Sequence, residues 1–167
     1  MQTNVTSNQK ATFGAGCFWK TENEFLNMPG VIKTSVGYMG GDFAHPSYLD
    51  VVARITGHAE VAQIEYNREI INYEELLNIF WRIHDPTSLN RQGADRGEQY
   101  RSVIFYHTPE QLQIARKSKL QLQQSGEYAR DLVTEIKPAK DYYLATEDHQ
   151  QYLKKKRNQS VFDHQLH

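Results

Sequence analysis

The stretch "KATFGAGCFWKTENEF", residues 10–25, decides how the chain is read. "KATFGAG" predicts a short strand running into a tight glycine-rich turn. After the turn, Phe18, Phe25 and Met28 recur at roughly helical spacing, with Trp19 and Leu26 on an adjoining stripe. A strand feeding a helix through small residues is an α/β element, and the only cysteine of the chain, Cys17, sits at the junction. Gly14, Ala15 and Gly16 let the backbone turn sharply and leave space above the thiol. If the helix starts near Phe18, its exposed amides and positive dipole end favour thiolate and lower the cysteine pKa. Without that placement, a lone cysteine is most simply a small apolar core residue.

Working outward, "MPG" ends the first helix, and "VIKTSVGY" is β-rich and stops at "GG". In "HAEVAQIEYN" the side chains alternate, so Glu60, Ala62, Ile64 and Tyr66 share one face and a carboxylate begins a mainly apolar row. "NYEELLNIFWRIHD" reads as a helix with Asn72 as cap, Glu75 three residues on, and Leu76, Ile79, Phe80 and Ile83 as its buried stripe. From Asp85 to about Gln99 the sequence is polar and too long for a tight connection, a length at which loops are often functional. "YRSVIFYH" is a strand, and "TPEQLQIARKSKLQLQQSG" a helix with Thr108 as cap and Pro109 at its first position. "LVTEIKPA" is a last short strand and "TEDHQQYLKKK" a last helix. This order predicts a single domain over 1–167: a two-layer α/β (α+β) sandwich on a mixed sheet, with 1–9 and 158–167 as flexible ends.

Composition narrows the function classes. A 167-residue chain with 39% hydrophobic residues and a formal net charge of −1 suits one ordinary globular domain. The near-neutral balance leaves no electrostatic footprint for nucleic acid, and "KKKR" at 154–157 reads as a solvated helix end. No apolar run approaches the roughly 18 residues that span a bilayer. The polar start "MQTNVTSNQK" has no signal-peptide core, so a reducing cytoplasm is the expected setting. One cysteine excludes an internal disulfide and a multi-thiolate zinc site. His164 and His167 read as solvated, and no metal is expected. Neither a G-x-G-x-x-G nor a Walker loop occurs, which leaves a nucleotide cofactor without support.

Five strings, "GCFW", "VGYMGG", "TGHAEVAQIEYN", "HDPTSLNRQGADRGEQYRS" and "HQQYL", occur in register from about Lys10 to Leu153. Together they closely resemble the A-type peptide-methionine sulfoxide reductases. The resemblance implies a two-layer sandwich with a ferredoxin-like core. It also implies an enzyme that reduces the S epimer of methionine sulfoxide, free or in proteins, and so repairs oxidised proteins under oxidative stress. Carried residue by residue, it makes Cys17 the nucleophile toward sulfur and Glu60 the acid on the sulfoxide oxygen. Tyr38 and Tyr100 become hydrogen-bond donors to that oxygen, Asp95 a carboxylate that orients substrate or water, and Phe18 and Trp19 the wall around the methyl group. Burial of Glu60 would suit its task, because an apolar setting raises a carboxyl pKa and keeps a proton available near neutrality.

Attack would leave Cys17 as a sulfenic acid. Many relatives resolve it with a second cysteine near the C-terminus, yet the tail "KKKRNQSVFDHQLH" has none. An external thiol is therefore expected: thioredoxin, glutaredoxin or glutathione, with no bound cofactor and the protein itself a monomer. Thr146, Asp148 and Glu98 also depart from common family residues. Two other classes stay open at this level. One is a cysteine hydrolase or acyltransferase using His58 or His84 as base. The other is a non-catalytic redox sensor or methionine-binding module. Within the family reading, both histidines are structural.

Overall fold

The structure, a computed structural model, describes residues 7–165. In chain order the first elements are β1 (Asn8–Ala15), α1 (Phe18–Phe25), β2 (Val31–Met39), α2 (Tyr48–Val52), β3 (Ala59–Asn67) and α3 (Tyr73–Arg82). A two-stranded hairpin, β4 (Arg91–Gln92) and β5 (Asp95–Arg96), follows, then β6 (Ser102–Tyr106), α4 (Pro109–Gln124), β7 (Glu135–Pro138), β8 (Tyr143–Leu144) and α5 (Tyr152–Gln165).

The main sheet runs β7-β6-β1-β3-β2-β8. Its centre, β6-β1-β3-β2, is antiparallel throughout, and with α1 and α3 as crossovers it is the β-α-β-β-α-β ferredoxin-like unit. β7 joins β6 in parallel after the α4 crossover, which makes the sheet mixed as expected. Caps read from sequence are present: Asn72 Oδ1 accepts from the Glu75 amide and Thr108 Oγ1 from the Gln111 amide.

One sheet face meets the helices. Phe13 lies at its middle, with ring centroids 5.6 Å from Phe25, 6.1 Å from Tyr73 and 5.1 Å from Phe80. Ala11, Val36, Ala62, Ile64, Leu76 and Ile104 complete a core from which water is excluded; each large side chain there contributes roughly 1.5–3 kcal/mol by burial. The opposite face buries Met39, Ala59, Val61, Val103 and Phe105, with Ala139 and Tyr142 packed against them.

The structure differs from the sequence reading in several features, among them α2 and β8, which it adds. The polar segment after Asp85 is not a bare loop: it folds into the β4–β5 hairpin and a one-turn helix, Glu98–Tyr100. The last helix starts at Tyr152 rather than near Thr146, because residues 147–149 form a separate tight turn and Gln151 takes a positive φ of 50°. The ends expected to be flexible, 1–9 and 158–167, overlap regular structure where they are described: β1 begins at Asn8, paired with Asn67, and α5 continues to Gln165 without burying a residue. Positions 1–6, 166 and His167 lie outside the described residues. Buried Glu22 of α1 ties the C-terminal segment down, accepting from the Gln151 amide at 2.7 Å and the Thr34 hydroxyl at 2.7 Å.

Candidate active site

β1 delivers Cys17. Gly16 holds φ at +95°, where a Cβ would also lie 2.9 Å from Gln92 Cγ, so only glycine fits before the thiol. Cys17 is the N-cap of α1, and its carbonyl accepts from the amides of Lys20 and Thr21. The thiol is half-buried. Burial pushes its pKa up from the ordinary value, and negative charge on Glu60 and Asp95 pushes the same way. Hydrogen bonds from the Trp19 and Lys20 amides pull it down without offsetting the rise. The expected depressed thiol pKa is therefore corrected: the helix terminus acts as foreseen, but desolvation outweighs it.

β3 and β2 deliver the polar groups. Tyr38 and Glu60 are direct partners across the β2–β3 ladder, so both project from the helix-covered face, and both are 2% exposed. Glu60 Oε1 accepts from the Phe18 amide at 3.2 Å, which places the carboxyl under the first turn of α1, next to the thiol-bearing residue. Among the described residues, Glu60 Oε2 and the Tyr38 hydroxyl have no hydrogen-bond partner. A buried polar atom without a partner costs about 1–3 kcal/mol, so two on directly paired residues mark a place for a polar guest. Burial pushes Glu60 up to about 7, the Phe18 amide opposes this, and Asp95 adds to it. Burial likewise raises Tyr38, reinforced by Glu60.

The hairpin side brings Asp95 and Tyr100. Gln92, opposite Asp95 in the β4–β5 pair, grips the main chain of Asp85 twice: its Oε1 accepts from the Asp85 amide at 2.9 Å, and its Nε2 donates to the Asp85 carbonyl at 2.8 Å. The same side chain fills the space beside Gly16, coupling the hairpin to the thiol loop. Tyr100 is half-buried and pushed up to about 12, first by burial and then by the charges of Glu60 and Asp95. Cys17 and Asp95 also line one cleft of about 380 Å³ with Lys20, Asn23, Gln92 and Leu153.

The aromatic wall starts with Phe18, whose ring centroid lies 5.6 Å from Tyr38 and 6.5 Å from Trp19. Trp19 is braced from behind: its indole N–H donates to His149 Nδ1 at 3.1 Å, and its ring stacks on Tyr152 at 3.9 Å. His149 also packs against Phe18 and Tyr48, at 5.6 Å and 4.6 Å between centroids. The structure thus gathers Cys17, Phe18, Trp19, Tyr38, Glu60, Asp95 and Tyr100 around one spot. Sequence reasoning missed Tyr48, Gln92, His149 and Tyr152. His149 and Tyr152 lay in "HQQYL" and Gln92 in "NRQG" without an assigned part; the Ser47–Asp50 capping box was the signal that would have revealed α2 and Tyr48.

The two histidines proposed as alternative bases are occupied. His58 Nδ1 accepts from the Gly41 amide at 2.9 Å and Nε2 faces the Phe43 carbonyl at 2.7 Å. His84 Nδ1 faces the Phe80 carbonyl and Nε2 the Ser102 hydroxyl, and burial lowers its pKa to about 4. Neither nitrogen pair is free to take a proton from Cys17. Among the described residues no group of three or more His, Cys, Asp or Glu side chains could hold a metal ion, and no helix is long and apolar enough to cross a membrane.

Known proteins resemble this chain in sequence and fold. The family model described as peptide methionine sulfoxide reductase matches residues 9–166. Peptide methionine sulfoxide reductase MsrA 1 of Nostoc sp. is 62% identical over 147 residues, covering 88% of this chain and 90% of the relative. The MsrA of Geobacter sulfurreducens is 54% identical over 151 residues, covering 90% and 93%. Among solved structures, Mxr1 from Saccharomyces cerevisiae in reduced form superposes with a TM-score of 0.85 at 36% identity, covering 92% of this chain and 88% of that one. Methionine sulfoxide reductase A of Corynebacterium diphtheriae gives 0.81 at 35%, covering 91% and 76%. Mxr1 in complex with Trx2 gives 0.63 at 27%, covering 91% and 89%.

Proposed function

The chain belongs to the peptide methionine sulfoxide reductase family and is an oxidoreductase that returns methionine sulfoxide to methionine; from that premise we propose that Cys17, Glu60, Tyr38 and Tyr100 carry the reaction. The observation that supports this reading best is the pair of unpartnered buried oxygens, Tyr38 Oη and Glu60 Oε2, beside the start of α1.

A sulfoxide oxygen leaves sulfur only when protonated or strongly hydrogen-bonded. Glu60 hands it a proton, while the Tyr38 and Tyr100 hydroxyls donate to it as charge develops. Cys17 attacks the sulfoxide sulfur. The S–S bond this forms to the substrate and the substrate S–O bond then both break as the oxygen passes to the cysteine sulfur; methionine departs and Cys17 is left as S–OH, its hydrogen the proton Glu60 gave, with Glu60 ionised. Phe18 and Trp19 enclose the methyl group, and Asp95 orients substrate or water. With methyl and oxygen sites both fixed, only one configuration at sulfur fits, and the family assigns the S epimer.

The second half-reaction needs an outside thiol, because Cys17 is the only cysteine. One thiol condenses with S–OH, releasing water and forming a mixed disulfide; a second thiol then displaces Cys17. Thioredoxin is supported as this donor by the solved complex of Mxr1 with Trx2; glutaredoxin and glutathione supply the same chemistry. In this reading the protein works as a monomer in the reducing cytoplasm. The test is turnover of methionine S-sulfoxide with dithiothreitol. Cys17→Ser should be inactive and Glu60→Gln slowed by about 10²–10⁴-fold; equal rates for wild type and Glu60→Gln would remove the acid assignment.

A further inference from the structure

The two rims of the site differ in character. On the hairpin side stand Arg91, Asp95, Arg96 and Glu98, all charged. On the other side α2 presents Leu49, 74% exposed, and Val52, 41% exposed, with Ile55 just beyond, 61% exposed. Tertiary structure leaves these side chains uncovered as a stripe, because the core takes only Val51 from this helix.

The helix that carries the stripe adjoins the site through Tyr48. On a helix Val52 lies about 40° from Tyr48, and Leu49 about 60° further round, whereas Val51 turns to the opposite side of Tyr48. Tyr48 packs on His149, which packs on Phe18 and Trp19. The shelf is also held firm. Ser47 and Asp50 form a reciprocal capping box, and Arg54, at a left-handed φ of 60°, donates from Nη2 to the Arg96 carbonyl at 2.7 Å. That bond ties the end of α2 to the hairpin that carries Asp95.

A methionine sulfur lies only about 4 Å from its own Cα. With that sulfur at Cys17, the substrate main chain must cross the rim, and its neighbouring side chains must rest on whatever the rim offers. We propose that Leu49, Val52 and Ile55 form a docking shelf for apolar side chains flanking methionine sulfoxide in an extended polypeptide. The proposal rests on the active-site reading above. Free methionine sulfoxide has no flanking side chains and gains nothing from the shelf, so the two substrates separate its contribution from chemistry.

The experiment compares kcat and KM, with dithiothreitol as reductant, for three probes: N-acetyl-methionine S-sulfoxide, a hexapeptide carrying the sulfoxide between leucine and valine residues, and the same peptide with serine and glycine flanks. Wild type should favour the apolar peptide over the polar one. Leu49→Asp and Val52→Asp should each raise KM for the apolar peptide by about fivefold to twentyfold, with kcat and the N-acetyl substrate unchanged. Leu49→Met should restore the wild-type KM. Equal KM for both peptides in wild type, or a parallel loss on all three probes, overturns the shelf. So does a change in oligomeric state on Leu49→Asp with peptide KM unaltered, which would make the stripe a contact between copies. Absence of turnover on the N-acetyl substrate in wild type would instead overturn the active-site reading.

Discussion

Cys17 and Glu60 are tuned against their ordinary protonation states by the same cause, burial in a low-dielectric site. The competent pair holds one proton, on Glu60, and one charge, on Cys17, which is the minor tautomer of a pair whose single proton rests mainly on the thiol. Below about pH 7 both groups are protonated and the one-proton pair is lost; above the raised Cys17 pKa neither holds a proton. The rate of methionine formation in a single turnover should therefore climb through about pH 7 and fall only well into the alkaline range. Glu60→Gln should lack the limb near 7, and a flat wild-type profile between about pH 6 and 8 would refute the pairing. Burial also has a cost for stability. Glu60 ionises near 4.5 when unfolded and near 7 when folded, so its favourable contribution is complete below 4.5 and lost as pH rises through 7. The displacement corresponds to on the order of 3 kcal/mol. Melting curves of Glu60→Gln and wild type should diverge from about pH 5 to pH 8, with the variant gaining stability relative to wild type as pH rises.

Among the elements, the β4–β5 hairpin matters most, because it carries Asp95 and leads into Tyr100 while owning almost no core. Its position depends on side-chain clamps: Gln92 on the Asp85 main chain and against Gly16, and Arg54 on the Arg96 carbonyl. Gln92→Ala removes two hydrogen bonds and the packing beside the thiol loop. It should lower single-turnover rate by about 10–100-fold while circular dichroism shows the sheet and helices intact. A melting temperature depressed in proportion to the lost rate would point to general loosening instead. α1 shows the same economy: one face buries Phe18, Thr21, Glu22 and Phe25, while the opposite face leaves Lys20 and Asn23 along the cleft beside Cys17.

For the molecule as a whole, the absence of a second cysteine separates the two half-reactions in time. With methionine sulfoxide present and thiol withheld, each protein molecule should release one methionine and stop, one oxygen atom heavier at Cys17. Intact-mass spectrometry reads this directly, and added dithiothreitol should restore the starting mass. Release of methionine without an oxidised Cys17 species would sink the scheme. α5 fits the same picture, since it leaves the body of the protein as an exposed helix with no buried residue and carries no thiol back to the site.

The amino-acid sequence by itself determined the order of the longer strands and helices, the strand–glycine–helix placement of Cys17, and the alternation that put Glu60 on an apolar row, because these are local properties of a 2.0- or 3.6-residue period. The motif strings also carried Tyr38, Asp95, Tyr100, Phe18 and Trp19 to their positions. Only the tertiary structure decided the direction of the Cys17 pKa, since desolvation and the charges of Glu60 and Asp95 reach it through space from β3 and β5. It alone brought His149, 130 positions away in sequence, onto the Trp19 indole, seated Gln92 against Gly16, and left Leu49 and Val52 uncovered. Such features depend on what long-range packing places beside a residue, and no local period records that.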